Sequence, residues 1–354
     1  MPFDAFLLLS FGGPEGPDDV LPFLRNVTRG RGIPPERLAE VAEHYHHFGG
    51  VSPINQQCRD LLAAVDAEFA AHGVELPTYW GNRNWQPMLA DTVAQLRDDG
   101  RTSVLAFTTS AYGGHSACRQ YIDDIEAARA KVGPGAPVIT KLRQFHDHPG
   151  FVGPHADAVG AALATLDPDR RAGTRLVFTG HSVPTALAAA GGPDGNRYPA
   201  QLRETAELVQ RLAAPDLRWD LVWQSRSGPP QMPWLEPDVN DHLAVLAEQG
   251  VTDVVVSPIG FVSDHLEVVW DLDNEAAATA RKLGLGYARA GTPGTDPRFV
   301  SMIRELVEER LSGADRQHLG ALPSWDDCPA GCCATLRPSA PHPAASAADP
   351  AGES

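Results

Sequence analysis

Three carboxylates spaced four residues apart, Glu267, Asp271 and Glu275, form the most chemically suggestive pattern in the chain. Read as an α-helix, this spacing stacks them on one face, where like charges raise one another's pKa and destabilise the helix. The nearest basic residue beyond them is Arg281. A solvated acidic face is the ordinary interpretation of such a pattern. The apolar residues after Glu267 indicate a substantially buried helix, which favours a face that handles cations or protons.

A histidine follows the apolar run RLVFT, in the sequence Gly180-His181-Ser182-Val183-Pro184. Glycine lets the backbone turn closely, which would present His181 at the carboxyl end of a strand. A neutral imidazole there can accept a proton or hold a divalent metal. The alternative is a histidine that only caps the next turn, and position alone does not decide between the two.

Cys328, Cys332 and Cys333 place three thiols within six residues, while Cys58 and Cys118 lie in the body of the chain. An odd number of cysteines in a long chain argues against a disulfide framework. With a fourth thiol, the three could complete the Cys₄ set of an iron–sulfur cluster or of zinc. Free thiols are the remaining alternative.

Other polar groups carry weaker signals. The basic patch of Arg25, Arg29 and Arg31 could grip carboxylates through paired hydrogen bonds, or could be a solvated loop. The turn at Gly12 and Gly13 lacks a GxGxxG pattern and a Walker lysine, so no nucleotide is expected. Two groups of histidines remain, for which we expect a surface or hinge role rather than a metal site: His44, His46 and His47, and His146 and His148.

Short apolar runs alternate with longer helical patterns along the chain, which is typical of parallel sheets covered by helices on both faces. The predicted strands are Phe6–Phe11, Leu76–Trp80, Ser103–Thr108, Val138–Leu142, Arg175–Thr179, Leu221–Gln224, Val254–Pro258 and Gly286–Ala290. Eight strands divide into two sheets of four. Ligands bind beyond the carboxyl ends of such strands, where His181 and the acidic segment fall.

The 354 residues fit two domains of about 150 residues each. We predict an N-terminal α/β domain over residues 1–145 and a C-terminal one over 146–322, with a last helix near 298–311 packing back on the body. Residues 323–354 form a cysteine-bearing tail, predicted to be disordered toward its end because Pro, Ala and Ser dominate it.

The net charge is −16, from 45 acidic and 29 basic residues. Such a surface repels phosphate backbones, so we expect no nucleic-acid partner, whereas it attracts metal cations. No run approaches the roughly 20 apolar residues that span a bilayer, and Asp4 stands where a signal peptide carries a basic residue. We therefore expect no integral membrane segment and a cytoplasmic protein.

Several stretches between Leu7 and about Leu311 together resemble the ferrochelatases, with actinobacterial members the most similar. They are LLLSFGGP, FLRNVTRGR, HFGGVSPIN, GNRNWQP, FTGHSVP and SPIGFVSDHLEVVWDLDNEA. The last two are specific in spacing and order. The resemblance implies two similar Rossmann-like domains with a porphyrin in the cleft between them.

The resemblance implies that His181 and Glu267 face each other across the porphyrin centre and guide Fe²⁺, with Asp271 and Glu275 as a proton or metal relay. Several members carry a tyrosine, able to reach the metal, where this chain has Phe11. Iron coordination before insertion would then depend on other groups.

Four further residues match porphyrin-contacting positions of the family: Ser52, Tyr121, Arg29 and Arg31, the arginines near the propionates. The similarity to actinobacterial members with a cysteine-bearing tail implies coproporphyrin III as the substrate. Protoporphyrin IX is the alternative. Transient contacts with neighbouring haem-pathway enzymes belong to the same expectation.

The resemblance also implies a [2Fe–2S] cluster held by Cys328, Cys332 and Cys333 with one cysteine of the body, for which Cys118 is our choice because it lies in a matching segment. Zinc and free thiols remain open.

Two other functions remain open. A chelatase acting on sirohydrochlorin with cobalt, nickel or iron usually presents paired histidines, whereas this chain offers one histidine opposite a glutamate. A porphyrin or haem carrier without catalysis would not need the unpaired carboxylates around Glu267.

Overall fold

Two four-stranded parallel sheets organise the computed structural model, which describes residues 3–30, 32–228, 231–329 and 331–333. In chain order the strands are β1 Ala5–Ser10, β2 Thr78–Asn82, β3 Ser103–Thr108, β4 Val138–Lys141, β5 Thr174–His181, β6 Trp219–Gln224, β7 Asp253–Ser257 and β8 Gly286–Arg289. All eight predicted strands are confirmed, and so is the α/β fold class with two sheets flanked by helices.

Helices connect the strands and cover both faces of each sheet. The α-helices are α1 Val20–Val27, α2 Pro35–His47, α3 Ile54–His72, α4 Leu89–Asp98, α5 Gln120–Val132, α6 Pro149–Leu163, α7 Thr185–Ala189, α8 Arg197–Ala213, α9 Val239–Glu248, α10 Leu266–Val268, α11 Ala277–Leu283 and α12 Pro297–Ser312. Shorter turns of other kinds are the 3₁₀ helices Pro17–Asp19 and Pro168–Gly173 and the π-helices His115–Arg119 and Val269–Ala276.

The two sheets share one topology. The first has the strand order β2-β1-β3-β4 and the second the order β6-β5-β7-β8. Strand β1 therefore pairs with β2 and β3, just as β5 pairs with β6 and β7. Because all pairs are parallel, the carboxyl ends of β1 and β5 each lie at one edge of their sheet, where loops can build a site.

Strand β1 shows why the sheets are covered on both faces. Its residues are all buried, and neighbours along the strand point to opposite faces. Phe6 and Leu8 pack in the large core that includes Phe69 of α3, whereas Leu7 and Leu9 pack with residues of α4 and α5. Burying one such side chain stabilises the fold by roughly 1.5–3 kcal/mol.

The large core is continuous between the two halves of the chain. It joins Phe107 of β3 and Phe178 of β5 through residues of α6, α8 and α12. Helix α12 packs against α6 and also against α3 of the first half. The domain boundary between residues 145 and 146 stays a prediction, since buried side chains pack continuously across it.

Helices α1 and α2 are the elements that the sequence pattern does not indicate. Helix α1 is eight residues long and contains Pro22, while α2 buries only Ala42 and carries three histidines in its last turn. Their short length, the internal proline and the few buried side chains make them hard to recognise in the sequence. No helix among the described residues is long and apolar enough to cross a membrane. The tail end predicted to be disordered, residues 334–354, lies outside the described residues.

Gly180 and Gly260 meet where β5 approaches the loop after β7. A Cβ atom on Gly260 would lie 2.8 Å from the Cα of Gly180 and 3.6 Å from the backbone nitrogen of His181. Gly180 itself lies inside β5, so it permits this close approach rather than the turn that the sequence suggested.

We expect Gly260→Ala to destabilise the protein by about 1–3 kcal/mol, because two backbone segments must separate. Thermal unfolding measures this as a lower melting temperature. Gly291→Ala is the matched control, since a Cβ there would meet nothing within 4 Å. Equal melting temperatures for the two variants would contradict the packing argument.

Candidate active site

The candidate site lies between the carboxyl ends of the two sheets. His181 is the last residue of β5, and Glu267 lies in the short helix α10 that follows the loop after β7. Their Nε2 and Oε2 atoms are 3.5 Å apart, and the two side chains are 34% and 41% exposed. The structure therefore brings together two residues that the sequence placed beyond the carboxyl ends of two different strands.

Hydrogen bonding fixes the orientation of the His181 ring. Nδ1 lies 2.5 Å from the carbonyl oxygen of Ser182, which can only accept, so Nδ1 carries the hydrogen. In the neutral ring, the lone pair of Nε2 then faces Glu267 and the cleft. Tyr198 donates to the carbonyl oxygen of His181 at 3.1 Å and holds the strand end.

The pair is electrostatically polarised. Burial acts to lower the pKa of His181, but the hydrogen bond and negative charge of Glu267 outweigh it, so the pKa of His181 is raised. Burial acts to raise the pKa of Glu267, and His181 reverses this, so the pKa of Glu267 is lowered. The histidine is thus a stronger base than an ordinary one.

The acidic segment is a π-helix over Val269–Ala276 rather than the continuous α-helix that the sequence pattern predicts. Because a π-helix bonds residue i to i+5, side chains four apart no longer stack directly. Trp270 instead donates from its indole nitrogen to Glu275, five residues on, at 2.9 Å. π-Helical turns are frequent at functional sites.

Asp271 is held by the end of β6. The amide of Gln224 donates to its Oδ2 at 3.2 Å, and the hydroxyl of Ser225 donates to the same oxygen. Burial and then the charge of Glu267 nevertheless raise the pKa of Asp271 to about 7. The like-charge effect expected from the sequence is therefore present, and Asp271 exchanges protons near neutral pH.

Ser225 is a site residue that sequence reasoning missed. Its φ is +61°, in the left-handed region that residues other than glycine rarely occupy, and such strain concentrates at functional sites. The backbone conformation directs its hydroxyl to Asp271. A serine after a strand carries no sequence signal that distinguishes it from an ordinary turn.

Helix α2 forms part of the opposite wall. Tyr45 is partly buried, and desolvation together with the charges of Glu267 and Asp271 raises its pKa. The ring of His44 stacks on Trp270, with ring centroids 3.9 Å apart, and His47 contacts the same indole edge-on. The histidine group thus contacts the acidic segment of the other half, a role that adjacent histidines in a sequence do not reveal.

The residues matched to porphyrin contacts lie in different surroundings. Ser52 is buried and donates its backbone N–H to Pro14 at 2.8 Å. Tyr121, also buried, lies under the guanidinium of Arg83, 4.5 Å from the ring centroid. Arg29 is exposed just after α1, and Arg31 lies outside the described residues.

Phe11 follows β1 immediately and is partly exposed. Its ring contacts Phe23 edge-on, and Arg83 lies 5.8 Å from its centroid. Arg83 also pairs with Asp124 and is only 6% exposed. Its guanidinium is therefore already neutralised, and Phe11 presents an apolar surface at this end of the first sheet.

The cysteines expected to act together do converge. Cys328 contacts both Cys118 and Cys332, and the sulfurs of Cys332 and Cys333 are 3.7 Å apart. Gln144 donates to the sulfur of Cys118 at 3.1 Å, and the backbone N–H of Gly192 donates to that of Cys333 at 3.2 Å. All five cysteines are free thiols in the structure.

One other group could ligate a metal: among the described residues, His146, Asp147 and Glu204 place three such atoms within 4.8 Å of one another. Glu204 already accepts from His146 at 2.8 Å and from the backbone nitrogens of Ala321 and Leu322. The group therefore ties the start of the tail to α8. His146 and His148 are fully buried, so a surface role for them is wrong.

These features define a class: a two-sheet α/β protein whose cleft brings together a basic histidine and a series of carboxylates, groups that can bind protons and cations. Comparison with known families specifies it further. The chain belongs to the ferrochelatase family, whose model, described as Ferrochelatase, matches residues 3–311.

The most similar relatives cover nearly the whole chain. A protein of Nocardia farcinica named "Coproporphyrin III ferrochelatase" is 57% identical over 345 residues, which is 95% of this chain and 98% of the relative. One of Mycolicibacterium vanbaalenii with the same name is 56% identical, covering 90% and 94%. A protein of Rhodopirellula baltica named "Ferrochelatase" is 52% identical, covering 94% and 93%.

Among solved structures, SirB from Bacillus subtilis with Fe³⁺ superposes with a TM-score of 0.51, covering 87% of this chain and 97% of that protein. At 14% sequence identity, this likeness shows the fold alone.

We expect Glu267→Gln to lower the pKa of His181, because the amide removes the negative charge that stabilises the imidazolium. Titration of the His181 ring protons by NMR in metal-free protein measures the change, so that at a fixed pH less of the ring is protonated. Glu275→Gln is the matched control, since Glu275 is exposed and bonds the indole of Trp270 rather than His181. A His181 titration unchanged by Glu267→Gln would contradict the assignment.

Proposed function

We propose that this chain inserts Fe²⁺ into coproporphyrin III to give Fe-coproporphyrin in haem biosynthesis. The observation that carries the proposal is the His181–Glu267 pair at 3.5 Å in the cleft of a chain that is 57% identical to a protein named for that reaction. Insertion forms bonds from iron to the ring nitrogens and releases two pyrrole protons for each Fe²⁺. A site for this reaction needs a base and a group that attracts a dication.

His181 is proposed as the base. Nδ1 donates to the Ser182 carbonyl, so the lone pair of Nε2 faces the cleft. Nε2 is therefore the ring atom that would accept a proton from the porphyrin. Glu267 stabilises the resulting imidazolium. Both side chains are partly exposed, so both could also contact Fe²⁺ as it approaches the ring.

Asp271 and Glu275 are proposed as the relay that carries protons or metal between the pair and solvent. A group transfers protons most readily when its pKa lies near the working pH. Asp271, with a pKa of about 7, meets that condition. Glu275 is exposed and gives the series an outer end in water.

Porphyrin binding is proposed to involve Ser52, Tyr121, Arg29 and Arg31. Coproporphyrin III carries four propionates, and arginine binds carboxylates through two parallel hydrogen bonds. The exposed position of Arg29 after α1 suits a propionate at the rim. Ser52 and Tyr121, being buried, would act by shaping the wall rather than by meeting solvent-exposed carboxylates.

The testing experiment mixes purified protein anaerobically with Fe²⁺ and either coproporphyrin III or protoporphyrin IX. We expect four free-base absorption bands to collapse to two, faster with coproporphyrin III. Faster reaction with protoporphyrin IX would overturn the substrate. Insertion into sirohydrochlorin alone, or binding without insertion, would favour the other chelatase or the carrier.

His181→Ala tests the mechanism. We expect turnover to fall by at least about 100-fold, the usual contribution of a positioned base, while porphyrin binding persists. Porphyrin fluorescence measures binding, and band collapse measures turnover. His72→Ala is the control, since His72 is an exposed histidine whose ring bonds the backbone of its own helix. Wild-type turnover in His181→Ala would sink the assignment.

A [2Fe–2S] cluster is proposed on Cys118, Cys328, Cys332 and Cys333. Four thiols with N–H donors on two sulfurs suit such a cluster, because thiolates bind its irons and hydrogen bonds to the sulfurs tune it. The sulfurs around a single tetrahedral zinc would lie about 3.8 Å apart. Among the described residues, the group whose ligand atoms lie within 4.8 Å of one another is His146, Asp147 and Glu204, which contains no cysteine. The four sulfurs are thus more widely spread than the ligands of one zinc ion, which favours a cluster of two irons. When bound, the cluster would hold the tail against the body.

Anaerobically purified protein is expected to show the visible absorption of a [2Fe–2S] cluster and about two non-substrate irons per chain. Cys118→Ser should lose both, because one ligand is removed. Cys58→Ser is the matched control, since Cys58 is another buried thiol of the body in a different helix. Stoichiometric zinc in place of iron, or a cluster that survives Cys118→Ser, would overturn the assignment.

A cytoplasmic location and transient contacts with neighbouring haem-pathway enzymes are part of the same proposal. The location is supported by the free cysteines, which suit a reducing compartment.

A further inference from the structure

Arg289, the last residue of β8, bonds two carboxylates on either side of the catalytic glutamate. Its Nη1 and Nη2 donate to the two oxygens of Asp264 at 3.1 and 2.9 Å. Its Nε donates to Asp273 at 2.6 Å. One planar guanidinium therefore joins the loop before α10 to the middle of the π-helix. The side chain is only 16% exposed, so the contacts are largely shielded from water.

A second residue of β8 supports the same segment. Tyr287 donates its hydroxyl to the carbonyl oxygen of Leu272 at 2.7 Å. Since residues two apart in a strand share a face, Tyr287 and Arg289 present their bonds on the same side of β8. The strand pairs with β7 and so provides a rigid support.

The bonded segment contains both acidic residues of the site. Glu267 and Asp271 lie between Asp264 and Asp273, and their like charges repel each other. Left free, that repulsion would move Glu267 away from Asp271 and alter its distance from His181. The Arg289 fork bonds the two flanking aspartates without contacting Glu267 or Asp271. It therefore restrains the segment and leaves the reacting carboxylates unpaired.

We infer that Arg289 is a positioning residue for iron insertion, which sets the place of Glu267 opposite His181 by bridging Asp264 and Asp273. The expected effect on the rate of iron insertion rests on the proposed function, whereas the restraint of residues 264–276 does not. Lysine cannot replace the arginine, because an ammonium lacks the planar fork that bonds both oxygens of Asp264 while reaching Asp273.

The kinetic test compares Arg289→Lys with wild type. Displacing a catalytic group by about 1 Å can cost roughly 100-fold, so we expect kcat to fall about 10- to 100-fold. The KM for porphyrin should change little, since Arg289 contacts no residue proposed to bind the ring. Guanidinium chloride at low concentration should restore part of the kcat of Arg289→Ala, whereas sodium chloride should not.

Arg298→Lys is the matched control. Arg298 also bonds two aspartates, Asp296 and Asp157, but it lies at the start of α12 away from the cleft. Its kcat should equal that of wild type. Equal kcat in Arg289→Lys and Arg298→Lys, or loss of kcat that guanidinium fails to restore, would overturn the positioning role.

Hydrogen–deuterium exchange separates the inference from the proposed function, because it needs no turnover. Backbone amides over residues 264–276 should exchange faster in Arg289→Lys than in wild type or Arg298→Lys. If wild type inserts no iron yet exchange increases, the bridge stands and the proposed function fails. If exchange is unchanged, the bridge itself is wrong.

Discussion

The repulsion between carboxylates that share a poorly solvated cleft is the constraint on which the rest of this structure depends. Glu267 and Asp271 cannot both ionise freely, and the pKa of Asp271, raised by burial and by Glu267, records the cost. No lysine or arginine pairs directly with either carboxylate in the described structure. Hydrogen-bond donors and ion pairs to neighbouring residues stabilise the segment instead. Gln224 and Ser225 donate to Asp271, His181 bonds Glu267, and Arg289 bonds the flanking aspartates. Neither Glu267 nor Asp271 therefore has a lysine or arginine as its direct partner in the part of the chain that the structure describes.

The architecture could be predicted from sequence because its signals are local and repeated. Runs such as AFLLLS and DVVVS are apolar on both faces, which only a strand covered by helices on both sides can accommodate. Once the strands are placed, parallel topology directs His181 and the acidic segment to the same edge of one sheet. The spacing of the three tail cysteines indicates that they act together. Cys118 is added to them because of the family resemblance, since no spacing rule selects it.

What the sequence could not reveal depends on contacts between distant residues. The π-helical segment contacts distant residues: Trp270 stacks on His44 from the other half, and Leu272 accepts from Tyr287, and no local pattern encodes either contact. Ser225 acts through an unusual backbone angle, and Arg289 through two aspartates that lie 25 and 16 residues away along the chain. Helix α2 buries only Ala42 completely, and its contacts are with the acidic segment through His44 and His47, which the sequence pattern does not encode.

The direction of the pKa shifts shows how substrate capture and stability are linked. Asp271 has a folded pKa above its ordinary value, so the native state binds more protons, and the associated stability is present at low pH and lost as pH rises through about 7. His181, whose pKa is also raised, contributes stability below the ordinary histidine pKa that is lost as pH rises through its folded value. At neutral pH and above, ionisation of Asp271 in the ligand-free cleft therefore costs folding free energy, whereas the ionised Glu267, whose pKa is lowered, favours folding. A dication that binds in the folded cleft neutralises the negative charge of the carboxylates. Because it binds only the folded state, it raises the free energy of unfolding and offsets the cost of ionising Asp271.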